Sequence, residues 1–197
     1  MKSNALIIFV RNLELGKVKT RIAETAGDAT ALKVYKQLLK HTASVTGPVD
    51  AHKFVFYSTY PELNDVWNDA LYHKYVQQGP TLGEKMQEAF EKMFAAGYKR
   101  VCIIGSDCYE LTTTIIDNAF TALEKNEAVI GPAADGGYYL LGLDKMIPAV
   151  FGNKVWSTDT VYQSTIADFK NAGYSYEILP ILNDVDNIED VPAHFLW

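Results

Sequence analysis

Short apolar runs alternate with stretches of helical period along this 197-residue chain. The runs at residues 5–10, 53–58, 75–78, 101–105 and 128–132 read as strands. Between them, apolar spacings of three and four predict helices over 29–45, 82–96 and 113–124, with a short one around 63–70. The first helix carries Leu32, Tyr35, Leu38, Leu39, Thr42 and Val45 on one face, with Asp28 placed to cap it. Thr81 and Glu84 have the spacing of a capping box, and Gly97 closes the helix they open. This βα repetition predicts an α/β fold built on a largely parallel sheet.

After 128–132 the pattern changes. Asp135-Gly136-Gly137 reads as a tight turn into a further strand at 138–143, so the sheet is expected to be mixed. The tail holds a helix starting near Ser157, a strand at 176–179, the acidic turn Asp184-Val185-Asp186 and a last short helix from about Ile188. No repeat, low-complexity tract or linker interrupts the series, and residues 1–197 are read as one domain.

Composition narrows the function classes. A formal net charge of −6 without a basic stripe argues against sequence-independent nucleic-acid binding, so any bound phosphate must meet a local basic cluster. The apolar run at 5–10 is too short to span a membrane and no small-residue cleavage site follows it, which points to a cytoplasmic protein. Cys102 and Cys108 lie one inside a strand and one just past its end, poor geometry for a disulfide and too few thiols for a zinc cluster. Both are expected as buried reduced thiols. His41, His52, His73 and His194 are scattered without ligand or triad spacing and no G-x-S-x-G elbow occurs, which removes hydrolase and zinc readings.

One local basic cluster exists. Gly16-Lys17-Val18-Lys19-Thr20-Arg21 follows the first strand, and its cations beside a glycine suit phosphate oxygens, Arg as a fork and Lys as a point charge. Neither a Walker loop nor G-x-G-x-x-G is present, and a solvated basic turn is the plain alternative. Asp107 follows the strand at 101–105, at the end where open α/β sheets place their chemistry; its plain alternative is a turn or a helix cap. With Asp184 or Asp186 from a second strand end, it would make an oxygen set for Mg²⁺. Asp135 offers a further carboxylate, and Gly136-Gly137 serve equally as a turn or as a place where substrate approaches the backbone. Trp156-Ser157-Thr158-Asp159 opens a helix whose N-terminus can hold an anion, with Trp156 either a stacking wall or a core residue.

Taken together, the motifs ALIIFVR, GKVKTRI, TLGEKMQEAF, IIGSDCYEL, GPAADGGYYLLGL, WSTDTV and NDVDNIEDV resemble those of GT-A-type nucleotide-diphospho-sugar transferases, the group also described as radical-SAM/selenodomain-associated transferases or glycosyltransferases. The basic loop and single strand-end aspartate are also similar to phospholactate guanylyltransferase. The resemblance implies a three-layer α/β/α sandwich around a mostly parallel mixed sheet. It implies that Lys17, Lys19 and Arg21 hold phosphates, that Gly83 and Glu84 lie near the nucleoside, and that Asp107 and Asp186 hold the metal.

The chain departs from that family pattern at Arg11, Asn12 and Leu13, where lysine and prolines are usual, at Tyr109, where proline is usual, and at Lys85 in place of arginine. The expected activity is a Mg²⁺- or Mn²⁺-dependent transferase using a nucleoside triphosphate or nucleotide-sugar and a small acceptor. Ser106-Asp107-Cys108 supplies one carboxylate where metal-dependent GT-A glycosyltransferases usually show Asp-x-Asp, which tilts the reading to nucleotidyl transfer. A glycosyltransferase and a non-catalytic nucleotide-binding module are the alternatives; oligomeric state is not legible.

Overall fold

The computed structural model describes residues 3–152 and 154–196. Seven strands form one sheet in the order β3-β2-β1-β4-β6-β5-β7: β1 (Asn4–Val10), β2 (His52–Tyr57), β3 (Tyr72–Val76), β4 (Arg100–Ile104), β5 (Ala128–Pro132), β6 (Tyr138–Leu143) and β7 (Tyr176–Ile178). Only β6 runs antiparallel to its neighbours, and the other pairings are parallel. The expected mixed sheet is present, and its one reversed strand is the arm entered through Asp135-Gly136-Gly137.

Two apolar layers sandwich this sheet because strand residues alternate between faces. Leu6, Ile8 and Val10 of β1 pack with α1 (Thr20–Ala26), α2 (Asp28–Thr46) and α4 (Thr113–Ala122). Ala5 and Ile7 face the other way, against α3 (Leu82–Ala95) and α5 (Val161–Ala172). The three-layer α/β/α architecture is therefore the one expected. Cys102 and Cys108 are buried free thiols, also as expected. Among the described residues no helix is long and apolar enough to cross a membrane.

Local differences from the sequence reading have physical causes. No helix forms around 63–70: Asp65 Oδ1 accepts from the Trp67 N–H at 2.9 Å and Asn68 Oδ1 from the Ala70 N–H at 2.9 Å, so side chains hold this backbone in turns. The third strand lies at Tyr72–Val76 rather than 75–78, since its register is set by pairing Lys53 with Tyr72 and Tyr57 with Val76. Helix α1 was not anticipated and places Thr20 and Arg21 in a helical turn instead of a loop. Asp28 is the first residue of α2, after Gly27, and makes no side-chain cap. The predicted capping box is present: the Glu84 N–H donates to Thr81 Oγ1 at 3.3 Å and the Thr81 N–H to Glu84 Oε2 at 2.9 Å.

Helix α5 begins at Val161, so neither Ser157 nor Thr158 caps it. Ser157 has φ +63°, and the Thr158 hydroxyl donates to the Val155 carbonyl at 2.8 Å. The last predicted helix is a single 3-10 turn at Ile188–Asp190.

Candidate functional site

Strand β1 leads through α1 and α2 to β2 on one side, while β4 pairs with β1 on the other. Connections leaving in opposite directions open a crevice at the carboxyl ends of these two strands. A cavity of about 540 Å³ lies there, with Val10, Ser58, Gln77 and Ser106 from four strand ends on its wall.

Buried polar side chains fix the loops around it. Asn12, 3% exposed, accepts through Oδ1 from Ser58 Oγ at 3.1 Å, Thr59 N–H at 3.0 Å and Thr59 Oγ1 at 2.7 Å. Its amide donates to the Tyr60 carbonyl at 2.8 Å and Glu62 Oε1 at 3.2 Å. The loop after β1 is thereby tied to the loop after β2. The Tyr35 hydroxyl, reaching up from α2, accepts from the Arg11 N–H at 2.8 Å and shares a hydrogen bond with Ser106 Oγ at 3.0 Å. It joins the β1 loop to the β4 loop. Burial raises the Tyr35 phenol above its ordinary pKa, and it stays protonated.

Lys19 is the hinge of the charges. It precedes α1 with a left-handed backbone, φ 47° and ψ 52°. Its side chain is only 8% exposed, with the ammonium 2.9 Å from Asp107 Oδ2 and 3.1 Å from Asp186 Oδ1. Arg21 Nη1 adds a 3.1 Å contact to Asp186 Oδ2. Burial by itself would lower the Lys19 pKa, but the two carboxylates outweigh it and hold it above the ordinary lysine value. Asp184, which is not on the cavity wall, is pushed up to about 8, first by burial and then by Asp107; Asp135 and Asp186 add smaller upward pushes and Lys19 opposes. Its Oδ1 is buried without a hydrogen-bond partner.

Five cations line the cavity, Arg11, Lys17, Lys19, Arg21 and Lys85, against the two carboxylates Asp107 and Asp186. Lys17 also pairs with Glu14 at 2.5 Å. Arg11 and Lys85 form no ion pair among the described residues. Both stood at legible places, one directly after the first strand and one in the first turn of the capped helix, yet only the denser Gly16–Arg21 cluster drew a phosphate assignment from sequence. Tyr35, Ser58 and Gln77 gave less signal. Tyr35 read as one more apolar-face residue, although a buried tyrosine hydroxyl normally finds a partner.

The other anticipated residues divide. Gly16 has φ +76° and lies against Asp28, outside the cavity wall. Gly83 is buried beneath Trp156: a Cβ there would sit 2.4 Å from the indole Nε1, so this glycine serves packing of the helix start. Trp156 accordingly packs on α3 with the second apolar layer. Glu84 engages Thr81. Gly136, φ +90°, touches the Asp159 backbone so closely that a Cβ would lie 2.1 Å from its carbonyl oxygen. The Gly137 N–H donates to Asp135 Oδ1 at 2.9 Å, closing the turn. Of the six residues anticipated for the acceptor, Gly136, Gly137, Trp156, Ser157, Thr158 and Asp159, only Ser157 reaches the cavity wall.

Among the described residues no three His, Cys, Asp or Glu side chains already converge on one point as a metal cluster. The donor chemistry nonetheless fits a hard divalent cation. Asp107 and Asp186 already share one cation, the Lys19 ammonium, and Asp184 keeps a buried oxygen without a partner beside them.

The family model "Uncharacterized protein conserved in bacteria (DUF2064)" matches residues 45–158. No significant match is found among curated proteins. Among solved structures, a Desulfovibrio desulfuricans G20 protein provisionally described as a nucleotide-diphospho-sugar transferase is 33% identical, with a TM-score of 0.88 over 96% of this chain and 85% of that one. The 4-diphosphocytidyl-2C-methyl-D-erythritol synthase of Anaerococcus prevotii DSM 20548 is 13% identical, with a TM-score of 0.62 over 96% and 93% of the two chains. The inositol-1-phosphate CTP transferase of T. maritima is 11% identical, with a TM-score of 0.62 over 98% and 93%. These last two share the fold.

Proposed function

The chain belongs to the DUF2064 family, and from its crevice we infer that it is a transferase acting on an activated nucleotide, with nucleotidyl transfer to a small acceptor as its leading reaction. The observation that carries this reading is the set of five cations that line one cavity together with Asp107 and Asp186. That much positive charge suits the oxygens of a triphosphate, and the fold is shared with proteins described as a 4-diphosphocytidyl-2C-methyl-D-erythritol synthase and an inositol-1-phosphate CTP transferase. The sequence resemblance to phospholactate guanylyltransferase points the same way.

In this mechanism Arg11, Lys17, Lys19, Arg21 and Lys85 bind and orient the phosphates. Asp107 and Asp186, with Asp184, would hold Mg²⁺ or Mn²⁺, which when bound neutralises charge on the phosphate oxygens. An acceptor oxygen attacks the α-phosphorus, the new P–O bond forms as the bond to the β-phosphate oxygen breaks, and pyrophosphate departs with the electron pair. A phosphate-bearing acceptor attacks through an oxygen that is already anionic, so no general base is required. The cations then hold the charge that builds on the leaving pyrophosphate. Ser157 lines the cavity and is assigned to the acceptor, and the Asp159 backbone two residues on packs against Gly136 of the Asp135–Gly137 turn.

Glycosyl transfer from a nucleotide-diphospho-sugar is the second reading. It is favoured by the description of the 33%-identical Desulfovibrio protein. The two are separated by thermal-shift measurements with nucleoside triphosphates and nucleotide sugars, each with Mg²⁺ or Mn²⁺, because a ligand bound only by the folded state raises Tm. Stabilisation by a triphosphate and not by nucleotide sugars is expected. The reverse pattern would assign glycosyl transfer, and no stabilisation by either class would overturn the transferase reading.

A further inference from the structure

Lys19 occupies its place under strain. Its left-handed backbone is one that side-chain-bearing residues rarely adopt. What that conformation accompanies is a nearly buried ammonium bridging one oxygen of Asp107 and one of Asp186, carboxylates that reach the crevice from two separate loops. These are the two carboxylates assigned to the divalent cation. An ammonium and a divalent cation cannot share that space, since like charges a few ångströms apart repel strongly away from bulk water. Lys19 also satisfies the site incompletely: it bonds Asp107 and Asp186, while Asp184 Oδ1 stays buried and unpartnered. A cation taking six or more oxygen ligands would use what the lysine leaves over.

The geometry points to Lys19 as a tethered stand-in for the metal, holding Asp107 and Asp186 together in the nucleotide-free protein and releasing them when phosphate oxygens draw its ammonium away. The inference rests on the metal-dependent reading above. It makes metal and phosphate bind as a pair: phosphate frees the carboxylates for the metal, and by linkage the metal frees Lys19 for phosphate. The basic loop is then an ordering device as well as a phosphate cradle, because the carboxylates are not open to a divalent cation before the nucleotide arrives.

The test is Mn²⁺ binding to the full chain, without nucleotide, followed by isothermal titration calorimetry in the wild type, Lys19→Met and Lys19→Gly. The glycine variant removes the ammonium and also relieves the left-handed strain, which protects the fold. Both variants are expected to bind Mn²⁺ on the order of tenfold more tightly than the wild type, and adding Asp107→Asn to either should remove the gain. Equal or weaker Mn²⁺ binding by the Lys19 variants, or a gain that survives Asp107→Asn, would overturn the inference. Metal use itself is read separately, from whether the Tm shift caused by a triphosphate depends on Mn²⁺, so failure of one idea is distinguishable from failure of the other.

Discussion

Asp107 and Asn12 show two ways in which a single polar side chain acts at this site. Asp107 is partly exposed and shares a lysine with Asp186, so its removal takes charge from the crevice without opening the core. Asp107→Ala is therefore expected to abolish metal-dependent turnover while leaving the far-ultraviolet circular dichroism spectrum unchanged; full activity on an identified donor would sink the metal assignment. Asn12 is buried, and its amide joins two loops. Asn12→Ala strands several polar partners at once and should lower stability by about 2–4 kcal/mol in urea unfolding. A loss below about 0.5 kcal/mol would show that water replaces the amide. Asp107 was legible as a candidate because its strand end was legible. The importance of Asn12 was not, since the partners of its side chain lie 46 to 50 residues away.

At the scale of elements, the β5–β6 turn and the approach to α5 act as one piece. Gly136 lies directly against Asp159, and its carbonyl accepts from the Tyr162 N–H at 2.9 Å. Gly136→Ala would place a methyl group inside that contact at a positive φ, and a loss of about 2–4 kcal/mol is expected, measured as a fall in the urea midpoint. Because the same contact supports residues 157–159, acceptor KM should rise more than nucleotide KM. A uniform change in both would argue that this turn is structural alone. The segment before α5 is further held by Lys154, a nearly buried cation paired with Asp168 and donating to Ser164 Oγ at 2.9 Å. The sequence marked the Asp-Gly-Gly turn and the Trp-Ser-Thr-Asp segment separately; their contact is a product of sheet order, which brings the β6 hairpin against the start of α5.

For the whole molecule, pH dependence of stability tests the burial pattern away from the crevice. Asp144, just past β6, has Oδ1 buried without a partner, and burial raises its pKa above the ordinary carboxylate value, with Lys145 opposing. The folded protein thus binds this proton more tightly than the unfolded chain. The stability it contributes is full below the unfolded value and is lost as pH rises through the folded one. Asp144→Asn should match the wild type at acid pH, below about pH 4, and exceed it at neutral pH, as read by urea unfolding at both. Equal pH profiles would show that the carboxylate is solvated.

The sequence by itself determined the alternation of strands and helices, the Thr81–Glu84 cap, the reduced cysteines and the identity of the cations and carboxylates. These rest on interactions within a few residues, on apolar period, cap spacing and charge. Tertiary structure alone decided that Gly83 lies under Trp156, and that Lys19 meets Asp107 across 88 residues and Asp186 across 167. Such meetings depend on strand order and register, which are set by how the whole sheet buries its two faces, and no local pattern encodes them.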